Sequence, residues 1–332
     1  MTRPIASLSL DLDNKWCYLR THGVPGWERY PSFLDVVVPR ILRACTVRDL
    51  RPTCFVVGRD AERAENADAL MSLADAGYEI GNHSLNHEPW LHTLPRAELE
   101  IEVGLAEEFI ERATGRQPIG FRSPAYSLSE ETLEILAGRG YHYDATTLPT
   151  YLGPLARWYF RHTASPEAAR EAERRELFGS LCDGLRSIKP YVWNTAAGPL
   201  IEMPVTTFPL VKLPIHMTYL MYLWQFSPWL ARTYFWLAMT ACRVMNVGPS
   251  MLLHPLDFLG VEDDADLRFF PGMMLPREEK LEWVDEVLAA LTARYDVVPL
   301  CKHARHVERQ LGVEIVRAKP PAEVAAVSVA EV

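Results

Sequence analysis

The sequence predicts an α/β fold built on a parallel sheet, open or closed into a barrel. Short strand-like runs alternate with helical stretches from residue 5 to about residue 150. An amphipathic stretch at about 61–75 stops at Gly77, as a helix favouring glycine just past its end should. Buried-type runs return at 201–205, 251–254 and 297–300, so strands continue through the second half.

Taken in order, a strand at 5–11 leads into a loop, and a helix covers about 33–45. Pro52 to Gly58 reads as the second strand, followed by the helix at 61–75 and a short strand from Tyr78 to Gly81. A helix at about 95–113 precedes a strand near Gly120-Phe121-Arg122. Ser129 is placed to cap the next helix, and a strand near Tyr141-His142-Tyr143 follows. Residues 165–178 are rich in Arg, Glu and Ala, which suits a solvated helix. Ile201 to Val205 and Met251 to His254 read as strands, a helix covers about 276–294, and Val297 to Leu300 is the last strand. One domain is expected over 1–310, interrupted by insertions at about 151–198 and 212–248, with a disordered tail at 319–332.

With 48% hydrophobic and 23% charged residues the chain can bury a full core. Its net charge of −9 argues against nucleic acid as a partner, because a phosphate-backbone binder needs a concentrated basic face. Six cysteines, without a CxxC pair, fit reduced thiols better than a zinc ribbon or a disulfide framework. No secretory signal is visible at the N-terminus, so the expected compartment is the cytoplasm.

Three segments hold the candidate chemistry. Asp11-Leu12-Asp13 closes the first strand, where residues two apart share a face and both carboxylates can point to one side. In a barrel, that strand end is where an active site lies. His83-Ser84-Leu85-Asn86-His87 puts imidazoles at i and i+4, which on a helical turn would suit two ligands of one metal ion. Ser84 stands where an HExxH motif has its glutamate, so a thermolysin-type reading fails. His254 ends a buried strand, with Asp257 three residues on as a candidate partner for its ring. Each has a plain alternative: solvated loop aspartates, an incidental histidine pair, a hydrogen-bonded core histidine. Together, two histidines and a carboxylate make a three-ligand site, a second carboxylate can take a proton from water, and a separate histidine can protonate a leaving amine.

With these residues in view, the chain resembles the polysaccharide deacetylase family, also called the NodB-homology or carbohydrate esterase family four group. Ser9-Leu10-Asp11-Leu12-Asp13 looks like the family's first motif, and Thr53 to Gly58 like the strand that follows. Gly77 to His87 is similar to the second motif, Phe121 to Tyr126 to the third, and Leu252-Leu253-His254 to the last. The resemblance runs from about Ile5 to Tyr143 and resumes at about 201–205 and 250–300. It implies a deformed (β/α) barrel and a divalent ion, commonly zinc. It implies Asp11 as general base, Asp13, His83 and His87 as metal ligands, and His254 as general acid. Arg122 would keep the base carboxylate charged, and a backbone amide near Ala125, beside Tyr126, would stabilise the oxyanion. The family's adjacent aspartates are separated here by Leu12, so the division of roles between Asp11 and Asp13 stays open.

The family acts on chitin, peptidoglycan, lipid-linked sugars and non-sugar amides, so the fold does not name a substrate. Residues 213–247 lie outside the resemblance. Between Lys212 and Arg232 there is no charged residue, while Tyr219, Tyr222, Trp224, Phe226 and Trp229 crowd the run. Pro214, Gln225 and Pro228 interrupt it too often for a spanning helix. A helix pair lying in a membrane interface fits, as does an apolar lid or dimer face. The expected activity is metal-dependent removal of an acetyl or formyl group from an amino sugar, lipid-linked and met at the cytoplasmic membrane face. A metal-dependent amidase of the allantoinase-like branch and a non-catalytic carbohydrate-binding barrel are the competing readings. The oligomeric state is not legible.

Overall fold

The computed structural model describes residues 3–313; the tail expected at 319–332 lies outside them. Strand β1 (Ile5–Leu12) leads into helix α1 (Lys15–Thr21), then α2 (Leu34–Thr46) and β2 (Thr53–Val56). Next come α3 (Gly58–Glu62), α4 (Ala67–Asp75), β3 (Glu79–Asn82), α5 (Arg96–Thr114), β4 (Gly120–Phe121), α6 (Glu130–Gly138) and β5 (Tyr143–Asp144). The second half holds α7 (Gly153–Thr163), α8 (Pro166–Arg174), β6 (Tyr191–Thr195), β7 (Gly198–Glu202), α9 (Met217–Phe226), α10 (Pro228–Val244) and β8 (Ser250–Leu253). It closes with α11 (Arg277–Arg294), β9 (Asp296–Val298) and α12 (Leu300–Leu311).

The strands lie in the order β6-β7-β5-β4-β3-β2-β1-β8, with β9 pairing to the start of β1. Every pairing is parallel except the β6–β7 hairpin. The chain after β7 closes the gap to β8 without forming a regular strand. Met203 and Val205 donate backbone N–H to Asp144 and Thr147 at 2.8 and 2.9 Å, and Thr206 donates to Ser250 at 3.1 Å. The result is a deformed barrel whose one irregular stave is the seam at 203–206. The strand ends that follow β1, β3, β4 and β8 therefore meet at one rim, and these carry Asp11, Asp13, His83, Arg122 and His254.

Four elements differ from the sequence expectation. The helix expected at 61–75 is broken into α3, a 3-10 turn at Ala64–Asn66 and α4. The loop after β1 contains α1, capped by Asn14, whose Oδ1 accepts from the Lys15 amide at 2.8 Å. The strand expected at 201–205 begins earlier, as the second arm of a hairpin. The strand expected at 297–300 ends at Val298, because Pro299 opens α12. Ser129 does cap α6, accepting from the Thr132 amide.

Residues 213–247 form the helix pair α9–α10. Its inner face packs on α11: Trp224 stacks on Trp283 with ring centroids 4.7 Å apart, and Leu220, Met221 and Phe235 are buried. Full burial of such side chains contributes roughly 1.5–3 kcal/mol each. Its outer face and tip stay uncovered, with Phe226 and Trp229 about two-thirds to three-quarters exposed at 68% and 73%. Among the described residues, no helix is long and apolar enough to cross a membrane.

Candidate active site

Strand period places Ser9, Asp11 and Asp13 on one face of β1 and its extension, toward the barrel interior. Arg122, just past β4, has no exposed surface and lies over the Phe55 ring, 4.4 Å from its centroid. Its Nη1 donates to Asp11 Oδ1 at 2.7 Å and to Ser9 Oγ at 2.9 Å, while Nε donates to the Ala145 carbonyl at 2.8 Å. A guanidinium spread over three fixed acceptors holds Asp11 in one orientation. The other Asp11 oxygen, Oδ2, faces His254 Nε2 at 3.9 Å.

Asp13, His83 and His87 are all buried, and one ligand atom of each lies within 4.8 Å of the other two. Asp13 Oδ1 is 3.2 Å from His83 Nε2 and 3.1 Å from His87 Nε2, yet neither ring N–H lines up on it and the oxygen has no hydrogen-bond partner. A buried, unpartnered carboxylate oxygen between two imidazole nitrogens fits a shared cation. Ligands about 2.1 Å from a tetrahedral ion would stand about 3.4 Å apart, close to the spacing here. His83 Nδ1 donates to the Arg122 carbonyl at 2.7 Å, which fixes the tautomer and turns the Nε2 lone pair toward Asp13. Burial alone would push the Asp13 carboxyl up, but the two imidazoles hold it well below the usual carboxylate range. Burial pulls the His83 ring down, and the Asp11 and Asp13 carboxylates more than reverse this.

The two histidines do not share a helical turn, as their spacing suggested. Residues 83–87 form an irregular loop in which Ser84 and His87 adopt left-handed backbone, φ 61° and 50°. Two side chains that the sequence did not single out hold it. Asn82 Oδ1 accepts from the Ser84 amide at 2.9 Å. Glu102, on α5, accepts from the Leu85 and Asn86 amides at 3.0 Å each and from Asn86 Nδ2 at 2.6 Å. Asn82 stands inside the second motif, whereas nothing in the helical pattern around Glu102 marks it.

Ala125 and Tyr126 are both left-handed, φ 49° and 61°, and both line the cavity above the triad. Such backbone in non-glycine residues costs about 1–3 kcal/mol each, which the surrounding structure must hold in place. His254 follows β8. Asp257 is buried, not an exposed loop residue, and it does not bond the His254 ring directly: its Oδ2 accepts from the His254 backbone amide at 2.7 Å.

The triad sits in a cavity of about 420 Å³. Away from Asp11, Asp13 and the histidines its wall is apolar and aromatic, supplied by Leu155, Trp158 and Tyr159 of α7, Tyr219 and Tyr222 of α9, and Phe270. Tyr222 also contacts Phe226, ring centroids 5.1 Å apart, so the aromatic wall runs unbroken to the exposed tip of the α9–α10 pair.

The family model for polysaccharide deacetylase matches residues 27–143. Over 110 residues the chain is 29% identical to the peptidoglycan deacetylase of Helicobacter pylori, covering 33% of this chain and 36% of that protein. Over 75 residues it is 31% identical to a peptidoglycan deacetylase-like protein of Gibberella zeae, covering 23% of this chain and 22% of that one. Both alignments thus span well under half of these relatives. A crystal structure of a Mycobacterium smegmatis protein, described as a candidate polysaccharide deacetylase, superposes with a TM-score of 0.62 at 20% identity, covering 97% of this chain and 96% of that one. The likeness to the polysaccharide deacetylase family is thereby shown, and so is the barrel of that type. The matched stretch 27–143 holds His83, His87, Arg122, Ala125 and Tyr126, while Asp11, Asp13 and His254 flank it.

Proposed function

We propose that this protein is a metal-dependent deacylase that hydrolyses an N-acetyl or N-formyl group from a lipid-linked amino sugar at the cytoplasmic face of a membrane. One observation carries the reading: Asp13, His83 and His87 converge in the cavity that also holds Asp11, paired with Arg122, and His254, whose Nε2 is 3.9 Å from Asp11 Oδ2. A divalent ion held by those three residues, zinc by its two-nitrogen, one-oxygen donor set, would polarise the acyl carbonyl and lower the pKa of a water. Asp11, fixed by Arg122, takes a proton from that water as its oxygen attacks the acyl carbon. The backbone amide at Ala125, with Tyr126 beside it, donates to the oxygen that gains charge. His254, entering the step as the imidazolium, would give its Nε2 proton to the amine as the C–N bond breaks, leaving the neutral Nδ1–H ring and releasing the carboxylic acid and a free amino sugar.

The lipid-linked substrate rests on the cavity wall. A sugar needs hydrogen-bonding partners around its ring, and hydroxyls buried against Leu155, Phe270 and the ring faces of Trp158 and Tyr159 would lack them. Hydrocarbon fits those walls, while the sugar end fits the carboxylates and imidazoles. The exposed Phe226 and Trp229 give the same helix pair a surface suited to a bilayer interface. None of the described cysteines forms a disulfide, in keeping with a reducing compartment.

The test is mass spectrometry after incubating zinc-loaded protein with polyprenyl-linked N-acetyl and N-formyl amino sugars, beside chitin oligosaccharides, peptidoglycan and a small ureide. Loss of the acyl mass from the lipid-linked substrates alone is expected. Turnover of the soluble glycans but not the lipid-linked sugars would overturn the lipid assignment, and turnover of the ureide alone would overturn the sugar.

A further inference from the structure

His254 presents one ring edge to the site and the other to α9. Thr218, the second residue of α9, places its Oγ1 3.0 Å from His254 Nδ1 and 3.3 Å from Asp257 Oδ1. Thr218 is buried, and Asp257 is spent on two groups: the His254 backbone amide through Oδ2 and the Thr218 hydroxyl through Oδ1. A threonine hydroxyl has a single proton, and an ionised carboxylate only accepts. With the Thr218 proton donated to Asp257, its oxygen is left to accept from His254 Nδ1–H. The neutral ring is then held as the Nδ1–H form, with Nε2 free toward Asp11 and the reacting centre.

We infer that Thr218 is a positioning residue for the leaving-group proton: it fixes the His254 tautomer and connects the ring to Asp257, which does not reach it directly. The catalytic consequence rests on the deacylase reading above; the tautomer does not. The same short stretch supplies His216, which caps α9, lies 6.1 Å from the His254 ring and lines the cavity. The groups facing His254 are thus Asp11 on the Nε2 side, and Thr218, Asp257 and His216 around it, with Lys280 behind Asp257 donating to the Leu256 carbonyl. The helix that walls the cavity with Tyr219 and Tyr222 therefore also holds the proton donor in register. Substrate packed against α9 bears on the element that orients His254.

The experiment compares Thr218→Val, Thr218→Ser and the parent in the full zinc-loaded chain. ¹⁵N imidazole shifts should show His254 in one Nδ1–H form in the parent and in Thr218→Ser, and a tautomer mixture in Thr218→Val. On the lipid-linked substrate, Thr218→Val should lose roughly tenfold or more in kcat with KM within about twofold, inside the share a general acid supplies. Its pH profile should differ from the parent's, and Thr218→Ser should recover both. If Thr218→Val does not fold, Thr218→Ala, which needs no extra space, gives the same readouts. An unchanged His254 shift pattern in the Val or Ala variant overturns the assignment, as does unchanged kcat with an unchanged pH profile. If the parent protein hydrolyses no N-acyl amino sugar, the functional reading fails, and the shift pattern alone decides Thr218.

Discussion

Asp11 and Asp13 stand two residues apart on one strand, and their partners separate them. Asp11 is bonded to Arg122, whose Nη1 it shares with Ser9, whereas Asp13 has only the two imidazole nitrogens and an unpartnered buried oxygen. This difference assigns the base to Asp11 and the ligand to Asp13 in the proposed mechanism. Asp11→Asn should retain metal while kcat falls by about 10²–10⁴; Asp13→Ala should lose both. Metal content by plasma emission, read beside turnover, separates the two, and equal metal loss in both variants would contradict the assignment. Glu102 supplies a second case. Glu102→Ala strands the Leu85 and Asn86 amides, each about 1–3 kcal/mol if left unsatisfied, and frees the loop that carries both histidines. Lower melting temperature together with weaker zinc binding is expected, by calorimetry with and without added metal. A drop in stability with metal affinity intact would show that the loop does not depend on this carboxylate.

At the level of elements, the sequence disclosed the converging side chains better than the backbone that presents them. The four-residue spacing of His83 and His87 is the spacing of a helical face, but two left-handed residues within an irregular loop bring the rings to the same 5.2 Å separation. Spacing alone does not distinguish the two. Glu102 and Thr218 left no local trace, because each acts across long sequence separations, on loops set by tertiary packing. The helix α12 was not expected either, although Leu300, Ala304 and Val307 recur at helical intervals and are buried. The apolar run before them drew attention to a strand, and Pro299, which opens the helix, was read as part of it. For 213–247 the interruptions did exclude a spanning helix, and the residues that the helix pair leaves outward are those an interface would use. Phe226→Ser with Trp229→Ser should reduce flotation with anionic liposomes several-fold while leaving metal content unchanged. Equal flotation of variant and parent would point to another surface.

For the whole molecule, the barrel interior beyond the site holds a second pair of carboxyls. Asp144 and Glu202 are fully buried neighbours, and burial together with the repulsion of Asp144 on Glu202 raises the pair above the usual carboxyl range. A carboxyl pair raised in the folded state binds more protons than in the unfolded chain, so the pair's own contribution to stability is full at or below about pH 4 and is lost as pH rises through its folded-state titration. Asp144→Asn removes the repulsion and can still donate to Glu202. Its gain in melting temperature over the parent should be larger at pH 8 than at pH 5, at about 2–4 °C per kcal/mol. A pH-independent difference would exclude a shared proton.

The irregular stave at 203–206 lies between the end of β5 and β8. Asp13, His83 and Arg122 are anchored to β1, β3 and β4, which are paired on both sides. The seam hangs on a handful of backbone contacts and is bordered by the long segments that build the cavity wall. Chain can therefore be added or removed beside the seam, reshaping the cavity mouth, while Asp13, His83 and Arg122 keep their spacing. On the proposed reading, a new substrate would be met by changing the long segments next to the seam and leaving the paired strands as they are.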